Sequence, residues 1–231
     1  MKSAPVLLPG RTLGILGGGQ LGRMTAREAK RAGYRVAVYT NEPHGSPAGQ
    51  LADLEVNAAY FDDEAREQFI REVDIITMEF ENLPGDLLGF FESHKPVRPG
   101  RRALETCQNR EREKLFLRQI GVPHAEFRVV KSADGLAAAL AELGAPCVLK
   151  TADFGYDGKG QQRVTSSTQA LLAWMSMKQA PCVLEAMIPF EREISVLVAR
   201  SATGEVRVWP VQENQHVNGI LDLTIVPARI D

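Results

Sequence analysis

The sequence predicts an α/β protein that begins with a parallel sheet and continues into a small α+β unit and an antiparallel sheet. Three observations support this prediction. A strand, a glycine-rich loop, a helix and a second strand follow one another over residues 12–39. Strands and helices with a different spacing begin at residue 126. From residue 191 onward, strands separated by turns replace the helices.

The first strand–helix–strand unit carries a glycine motif. Gly17, Gly19 and Gly22 stand in G-x-G-x-x-G register, and the helix that follows ends at Gly33. The N-terminus of such a helix offers N–H groups and a positive dipole end to an anion. Glu42 lies about 20 residues further on, where dinucleotide-binding folds carry a ribose-binding acid. A nicotinamide oxidoreductase is therefore one hypothesis, and a polar turn at Glu42 is the alternative.

The third strand, at residues 74–78, ends in an acidic segment that contains Glu79 and Glu81. Carboxylates at the carboxyl end of a parallel strand face the ligand crevice of an open α/β sheet. We expect these two side chains to bind ribose hydroxyls, or else to be a solvated strand end. The first domain is predicted to span residues 1–105.

A charged, mostly helical connector is predicted at residues 106–126, and a small lid-like unit at residues 127–188. Within the lid, a short apolar strand ends at Lys150 and leads into a loop rich in glycine that also carries Lys159. Glycines let backbone N–H groups approach an anion closely, and two ammonium groups suit a polyphosphate. The spacing differs from a P-loop, because extended residues rather than a helix follow. The loop is predicted to be a flap that closes over phosphates, and a solvated hairpin turn is the alternative.

Composition and charge argue against several classes of protein and site. The net charge of −2 gives no electrostatic reason to expect a nucleic-acid partner. The cysteines are odd in number and lack paired short spacings, which fits a reducing compartment. The histidines are scattered, so no histidine metal cluster is predicted. No apolar run reaches the roughly 18 residues of a membrane helix. The start of the chain does not fit a signal peptide, so a cytoplasmic protein is expected.

Six motifs together resemble one family, the 5-(carboxyamino)imidazole ribonucleotide synthases, which are ATP-grasp enzymes of bacterial and fungal purine synthesis. The motifs are ILGGGQLGRM at 15–24, EFEN at 79–82, Arg110 with Glu113 and Lys114, VLK at 148–150, GYDGKGQ at 155–161 and NQHVNGIL at 214–221. They occur in the family's order and approximate spacing, and the resemblance runs from about residue 12 to residue 231. It implies a Rossmann-like first domain, an ATP-grasp lid and the beginning of an antiparallel ATP-grasp subdomain from residue 189.

The resemblance also implies a reaction. ATP phosphorylates bicarbonate to carboxyphosphate, and the carboxyl group then passes to the amine of aminoimidazole ribonucleotide. ATP and Mg²⁺ are the implied cofactors, the ribonucleotide and bicarbonate are the implied substrates, and a homodimer is expected. A formate-dependent glycinamide ribonucleotide transformylase, a biotin-carboxylase-like ligase and a non-catalytic nucleotide-binding module remain alternatives.

The resemblance assigns binding roles to residues of this sequence that match the family's motifs. The residues implied to contact ATP are Arg110, Lys150, Gly155, Tyr156, Asp157, Gly158, Lys159, Gly160, Gln161, Glu185, Ala186, Met187, Ile188, Glu193 and His216. Within this set, Lys150, Tyr156, Asp157 and Lys159 are the implied catalytic residues, and residues 185–188 form the hinge that reads adenine through backbone groups. The ribonucleotide is implied to bind Gly19, Gln20 and Leu21 on its phosphate side and Glu79 through its ribose hydroxyls.

Two departures from the family pattern stand out. Asn109 occupies a position where relatives often have aspartate. The family's acidic Mg²⁺ ligands and later basic residues have no counterpart in this sequence, so no metal ligand is predicted within it and the ligands are expected beyond residue 231. The antiparallel sheet predicted from residue 191 is incomplete at residue 231. We therefore expect a fragment of a longer enzyme, too short for turnover.

Overall fold

The computed structural model describes residues 6–153, 160–217 and 219–230. The chain forms two compact units, the first ending at Gln108 and the second beginning at Asn109. Each unit has its own hydrophobic core.

The first unit is a parallel sheet with helices between its strands. The strands are β1 (Thr12–Leu16), β2 (Arg35–Thr40), β3 (Leu54–Asn57) and β4 (Ile75–Met78), and the helices are α1 (Gln20–Arg31), α2 (Asp63–Glu72), α3 (Gly85–Glu92) and α4 (Arg101–Cys107), with a 3-10 turn at Gly49–Leu51. The strand order is β3-β2-β1-β4. Ligands bind outside the carboxyl ends of such strands, so the segments that follow each strand lie at the edge where a site is expected.

Aromatic rings form the centre of this unit's core. Tyr39, Phe69 and Phe91 pack edge to face in pairs, with ring centroids between 5.5 and 6.0 Å apart. Helix α2, which supplies Phe69, begins where the Asp62 carboxylate accepts a hydrogen bond from the Ala65 N–H at 2.9 Å. Phe69 packs directly on β1 at Gly14, where an added Cβ would lie 2.8 Å from its ring. The core therefore fixes the strand whose end carries the glycine motif.

The first unit extends slightly past the predicted boundary at residue 105. Helix α4 continues to Cys107, and the Gln108 side-chain amide donates to the carbonyl oxygens of Glu81 and Leu83. These bonds attach the end of α4 to the segment after β4. The predicted division of the remaining chain at 106–126, 127–188 and 189–231 stays a prediction.

The second unit begins with an antiparallel sheet and three helices among its described residues. Its elements are α5 (Arg110–Gln119), β5 (Phe127–Val130), α6 (Ala133–Leu143), β6 (Cys147–Thr151), β7 (Gln161–Val164), α7 (Ser167–Ser176) and β8 (Cys182–Ala186). The strand order is β5-β8-β6-β7. Because β6 and β7 pair antiparallel, the flap sequence joins two neighbouring strands, as predicted.

Serine caps set the starts of two helices in this unit. Ser132 accepts a hydrogen bond from the Gly135 N–H, and Ser166 accepts one from the Gln169 N–H, at the N-termini of α6 and α7. Helix α7 packs inward through small residues and Trp174, which is buried. These helices cover one face of the sheet that carries Lys150.

The last part of the chain forms three further antiparallel strand pairings in two sheets. The strands are β9 (Glu193–Ser195), β10 (Val198–Arg200), β11 (Val206–Val208), β12 (Gln212–Val217) and β13 (Ile220–Ile225), arranged as a β13-β12-β9 sheet and a β10-β11 hairpin. This agrees with the expected antiparallel subdomain. No helix within the described ranges is long and apolar enough to cross a membrane.

Candidate active site

Glu79 binds the N-terminus of the first helix. Its Oε1 atom accepts a hydrogen bond from the Gly19 N–H at 2.8 Å, and its Oε2 atom accepts one from the Gly22 N–H at 2.5 Å. Gly19 is the N-cap residue of α1 and has no side chain with which to cap the helix. The positive end of the helix dipole stabilises the carboxylate. A protein carboxylate therefore occupies the position that the glycine motif offered to an anionic ligand.

This contact bears on two hypotheses from the sequence. A dinucleotide pyrophosphate at this helix N-terminus would meet the Glu79 carboxylate, and like charges repel, so the geometry argues against a nicotinamide oxidoreductase. A carboxylate that accepts two N–H bonds still has lone pairs for ribose hydroxyls. Gln20 and Leu21 are exposed beside it. The Gly19 N–H is already donated to Glu79, so the same repulsion argues against a ribonucleotide phosphate at that N–H group. The predicted ribonucleotide contacts of Gly19, Gln20, Leu21 and Glu79 stay predictions.

The glycines of the motif permit this close approach. Gly17 has a φ of +107°, a conformation that side chains disfavour. A Cβ on Gly19 would lie 2.4 Å from Glu79 Oε1, and one on Gly22 would lie 2.5 Å from Oε2. The glycine pattern is thus explained by the approach of a side chain from β4, 57 to 60 residues away in sequence.

A second acidic residue, Glu55, holds the loop that follows β2. Its buried carboxylate accepts hydrogen bonds from the Gly45 and Ser46 N–H groups at 2.9 and 3.0 Å, and from the Ser46 hydroxyl at 2.6 Å. Burial would raise the pKa of Glu55, but these hydrogen bonds outweigh it and lower the pKa below its ordinary value. The loop in turn contacts the glycine motif, since the Ala48 N–H donates to the Gly18 carbonyl at 2.8 Å. The sequence analysis missed Glu55, because no local pattern marks a loop anchor.

Tyr60 is another residue at this edge that the sequence analysis missed. Its ring stacks on that of Tyr39 with centroids 6.2 Å apart. Burial raises the pKa of Tyr60, and the charges of Glu42 and Glu79 raise it further. Segments after β2, β3 and β4 thus bring acidic groups and a phenol to one edge of the sheet.

In the second unit, one buried carboxylate holds two lysines. Glu185 Oε2 lies 2.9 Å from Lys150 Nζ, and Glu185 Oε1 lies 3.3 Å from Lys114 Nζ. Strand β8 supplies the carboxylate, the neighbouring β6 supplies Lys150, and α5 supplies Lys114. The cluster carries a net positive charge, which attracts anions. The structure therefore pairs two residues that the resemblance assigned to different parts of ATP, and adds a lysine to which it assigned no role.

Arg110 lies at the same end of strand β6. Its Nη1 donates to the Thr151 carbonyl at 2.8 Å, and its backbone N–H donates to the Ala152 carbonyl at 2.8 Å. The neighbouring Asn109 caps α5 by accepting from the Arg112 N–H, and its amide donates to Asp153 Oδ1 at 2.8 Å. The N-terminus of α5 is thereby attached to the segment that leads into the flap. Arg110 is thus held at Thr151, the residue that follows Lys150 on β6.

The predicted adenine hinge has one backbone donor left for a ligand. The Ala186 N–H donates to the Glu126 carbonyl at 2.8 Å, and the Met187 N–H donates to the Pro146 carbonyl at 3.2 Å. Among the described residues, the Ile188 N–H donates no backbone hydrogen bond. Ile188 is half exposed. The geometry therefore narrows the hinge prediction to Ile188 as the N–H donor.

Glu193 and His216 meet across the β9–β12 pair. His216 Nδ1 lies 2.7 Å from Glu193 Oε2, and both side chains are partly exposed. Glu193 stands opposite Asn214 in the strand register, which makes His216 its diagonal neighbour. Two predicted nucleotide contacts thus form one polar pair.

The flap itself falls largely outside the described residues. Gly155, Tyr156, Asp157, Gly158 and Lys159 lie there, so their predicted roles stay predictions. Gly160 has a φ of +68°, and its carbonyl accepts from the Thr151 N–H at 2.8 Å. Gln161 pairs with Lys150 in the β6–β7 ladder. The two ends of the flap are therefore held together by strand pairing.

The described parts of the chain contain no group of three or more His, Cys, Asp or Glu side chains that could hold a metal ion. Glu79, Glu193 and Glu185 are each occupied by protein donors or cations instead.

Two family models match the chain. Residues 10–108 match the ribonucleotide synthetase preATP-grasp domain, and residues 115–231 match the ATP-grasp domain. The second match covers the flap, Lys150 and Glu185, and it begins one residue after Lys114. The boundary between the matches agrees with the boundary between the two compact units.

Several similar proteins are named N5-carboxyaminoimidazole ribonucleotide synthase or synthetase. The N5-carboxyaminoimidazole ribonucleotide synthase of Bacillus subtilis is 42% identical over 99% of this chain and 60% of its own length. A solved ADP complex of an N5-carboxyaminoimidazole ribonucleotide synthetase has a TM-score of 0.93 and 44% identity over 100% of this chain and 60% of that one. The Aspergillus clavatus enzyme, solved with ADP and 5-aminoimidazole ribonucleotide, has a TM-score of 0.85 and 31% identity over 95% of this chain and 57% of its own. The chain thus spans about 60% of the length of the relatives it matches.

Proposed function

The chain belongs to the ATP-grasp family, and from that premise we propose that the protein carboxylates 5-aminoimidazole ribonucleotide with bicarbonate and ATP. The products are 5-(carboxyamino)imidazole ribonucleotide, ADP and phosphate. The single observation that carries the proposal is the Lys150–Glu185–Lys114 cluster at the base of the flap, of which Lys150 and Glu185 lie within the residues that match the ATP-grasp model. It provides cationic side chains where the family binds a nucleotide.

Phosphoryl transfer depends mainly on positioning and on neutralising charge. Lys150 and Arg110 would hold the phosphates, and the Ile188 N–H would donate to the adenine ring. Glu193 would accept from the ribose hydroxyls, and His216 would lie near the phosphates. The free Ile188 donor and the net positive charge of the lysine cluster support this assignment.

The chemistry has two steps. A bicarbonate oxygen attacks the γ-phosphorus, a P–O bond to ADP breaks, and carboxyphosphate forms. The amine of the ribonucleotide then attacks the carboxyl carbon, and phosphate leaves. Carboxyphosphate is labile in water, so the site must exclude water, and the flap with Tyr156, Asp157 and Lys159 would do so. When bound, Mg²⁺ would neutralise charge on the phosphates.

The ribonucleotide is proposed to bind at the edge of the first unit's sheet. Glu79 would accept from its ribose hydroxyls, beside Gly19, Gln20 and Leu21. The support is the carboxylate held at this edge and the presence of 5-aminoimidazole ribonucleotide in the solved complex of the Aspergillus enzyme. A homodimer in the cytoplasm completes the proposal. The resemblance supports the homodimer, and three cysteines without disulfides support the cytoplasmic location.

The test is ADP release by the complete protein with ATP, labelled bicarbonate and 5-aminoimidazole ribonucleotide. We expect ADP and labelled product to form together, and Lys150→Ala to lower kcat/KM about 100-fold or more. Lys131→Ala is the matched control, because Lys131 is an exposed lysine of the same unit that pairs with Glu111. Full activity of Lys150→Ala would contradict the proposal, and turnover with formate in place of bicarbonate would point to the transformylase alternative.

A further inference from the structure

The two lysines of the cluster bind different oxygens of one carboxylate. Lys150 Nζ contacts Glu185 Oε2, and Lys114 Nζ contacts Glu185 Oε1. The Glu185 side chain is only 8% exposed, so water does little to stabilise its charge. Each lysine alone would suffice to pair with it. The second lysine therefore calls for an explanation.

The two lysines differ in their access to a ligand. The Lys150 side chain is 24% exposed, whereas that of Lys114 is 14% exposed. Lys150 lies on β6 next to the end that leads into the flap, and Lys114 is fixed one turn into α5. Lys150 is thus the member placed to change partners, and Lys114 is the member that stays.

The free-energy cost of moving Lys150 away from Glu185 depends on whether another cation stays beside the carboxylate. If Lys150 moved to a phosphate and left Glu185 with no cation, a buried carboxylate would be uncompensated, which is strongly unfavourable. With Lys114 still on the other oxygen, Glu185 keeps one cation. The cluster, which carries a net positive charge, can then lose Lys150 to an anion and leave a neutral Glu185–Lys114 pair.

We propose that Lys114 is a positioning residue that neutralises Glu185 and thereby allows Lys150 to bind a nucleotide phosphate. This inference rests on the nucleotide site of the proposed function. It assigns Lys114 an effect on nucleotide affinity that acts through Glu185 and not through contact with the nucleotide.

The experiment is calorimetric titration of the complete protein with ADP and MgCl₂, in a double-mutant cycle. We expect Lys114→Met to weaken ADP binding about 10-fold or more, because Glu185 then retains Lys150. Lys114→Arg keeps the charge and should bind within about 3-fold of the wild type. In the Glu185→Gln background there is no carboxylate to neutralise, so adding Lys114→Met should change the affinity less than about 3-fold.

The outcomes separate the possibilities. Equal ADP affinity of Lys114→Met and the wild type would overturn the inference. So would an equal loss from Lys114→Met in both backgrounds, since that would mean direct contact with the nucleotide. If Lys114→Met does not fold, Lys114→Gln, which removes the charge and keeps a polar side chain, replaces it in both backgrounds with the same expected results. Absence of ADP binding by the wild type would instead contradict the nucleotide site itself.

Discussion

His216 Nδ1 lies 2.7 Å from Glu193 Oε2, so two residues implied to contact different parts of one nucleotide contact each other. The pair arises from strand register, because Glu193 is opposite Asn214 and His216 follows two residues later on the same strand. The imidazole orients a carboxylate that would otherwise rotate freely. The ribose-binding role proposed for Glu193 therefore depends on His216.

Replacing His216 tests this dependence. We expect His216→Ala to raise the KM for ATP about 10-fold, because the Glu193 carboxylate loses the group that orients it. Glu193→Gln should have a similar effect, and the double variant should be little worse than either single variant, since coupled residues are not additive. Steady-state kinetics over a range of ATP concentrations measures this. Fully additive effects would mean that the two side chains act independently.

Replacing Glu79 tests the contact with the glycine motif. Glu79→Gln has one acceptor oxygen instead of two, so either the Gly19 or the Gly22 N–H loses its partner. We expect a loss of about 1 to 2 kcal/mol in the free energy of unfolding, and a higher KM for the ribonucleotide. Urea denaturation followed by circular dichroism gives the first value.

Glu67→Gln is the matched control for this substitution. Glu67 is an exposed glutamate of the same unit that pairs with Arg71 on helix α2. Its replacement should leave both the unfolding free energy and the KM close to the wild-type values. Equal effects of the two substitutions would show that the Glu79 carboxylate has no special role.

Local patterns in the sequence predicted most of the fold. The strand–glycine–helix start, the hairpin around the flap and the antiparallel end are all present, because each is set by hydrophobic spacing and by turn residues within a short window. Strand β3 was not predicted, since Leu54–Asn57 contains only two apolar residues. Residues 193–199 could form one continuous strand by their apolar content, but they form parts of two strands. The chain leaves the β13-β12-β9 sheet after Ser195 and joins the β10-β11 hairpin at Val198.

Contacts between segments that are distant in the chain could not be predicted from the sequence. The Glu79 bonds to the glycine motif join segments 57 to 60 residues apart, and the link between Lys114 and Glu185 depends on how α5 packs on β8. The resemblance named Glu79, Lys150 and Glu185, but it gave no pairings among them. Tertiary packing alone decides which charged groups meet.

Cysteine reactivity provides a test of the second unit's core. Burial raises the pKa of Cys182 to about 11 and also raises the pKa of Cys147, whereas Cys107 is exposed. Because the thiolate is the reactive form, we expect a thiol reagent at pH 8 to modify Cys107 first in the folded protein. Peptide mass spectrometry after brief labelling identifies the site, and labelling in urea is the control in which all three should react. Rapid modification of Cys182 without denaturant would contradict the buried placement.

The pH dependence of stability tests the Glu213–Arg229 pair. The Glu213 carboxylate is buried and accepts hydrogen bonds from the Arg229 side chain and, at 3.2 Å, from the Arg229 backbone N–H. These bonds, with Arg192 nearby, lower the pKa of Glu213 from 4.5 to about 2. The unfolded chain therefore takes up the proton first as the pH falls, and the folded state loses the stabilisation that the ionised pair provides.

The contribution of this pair is complete above about pH 4.5 and decreases as the pH approaches 2. We expect the difference in Tm between the wild type and Glu213→Gln to be largest at pH 7 and to narrow between pH 4.5 and pH 2.5. Glu205→Gln is the control, because Glu205 is an exposed glutamate that also pairs with an arginine, Arg207. Its Tm should stay close to that of the wild type throughout, since exposed pairs contribute little. A Glu213→Gln difference that stayed constant with pH would show that the loss comes from packing and not from the charge of Glu213.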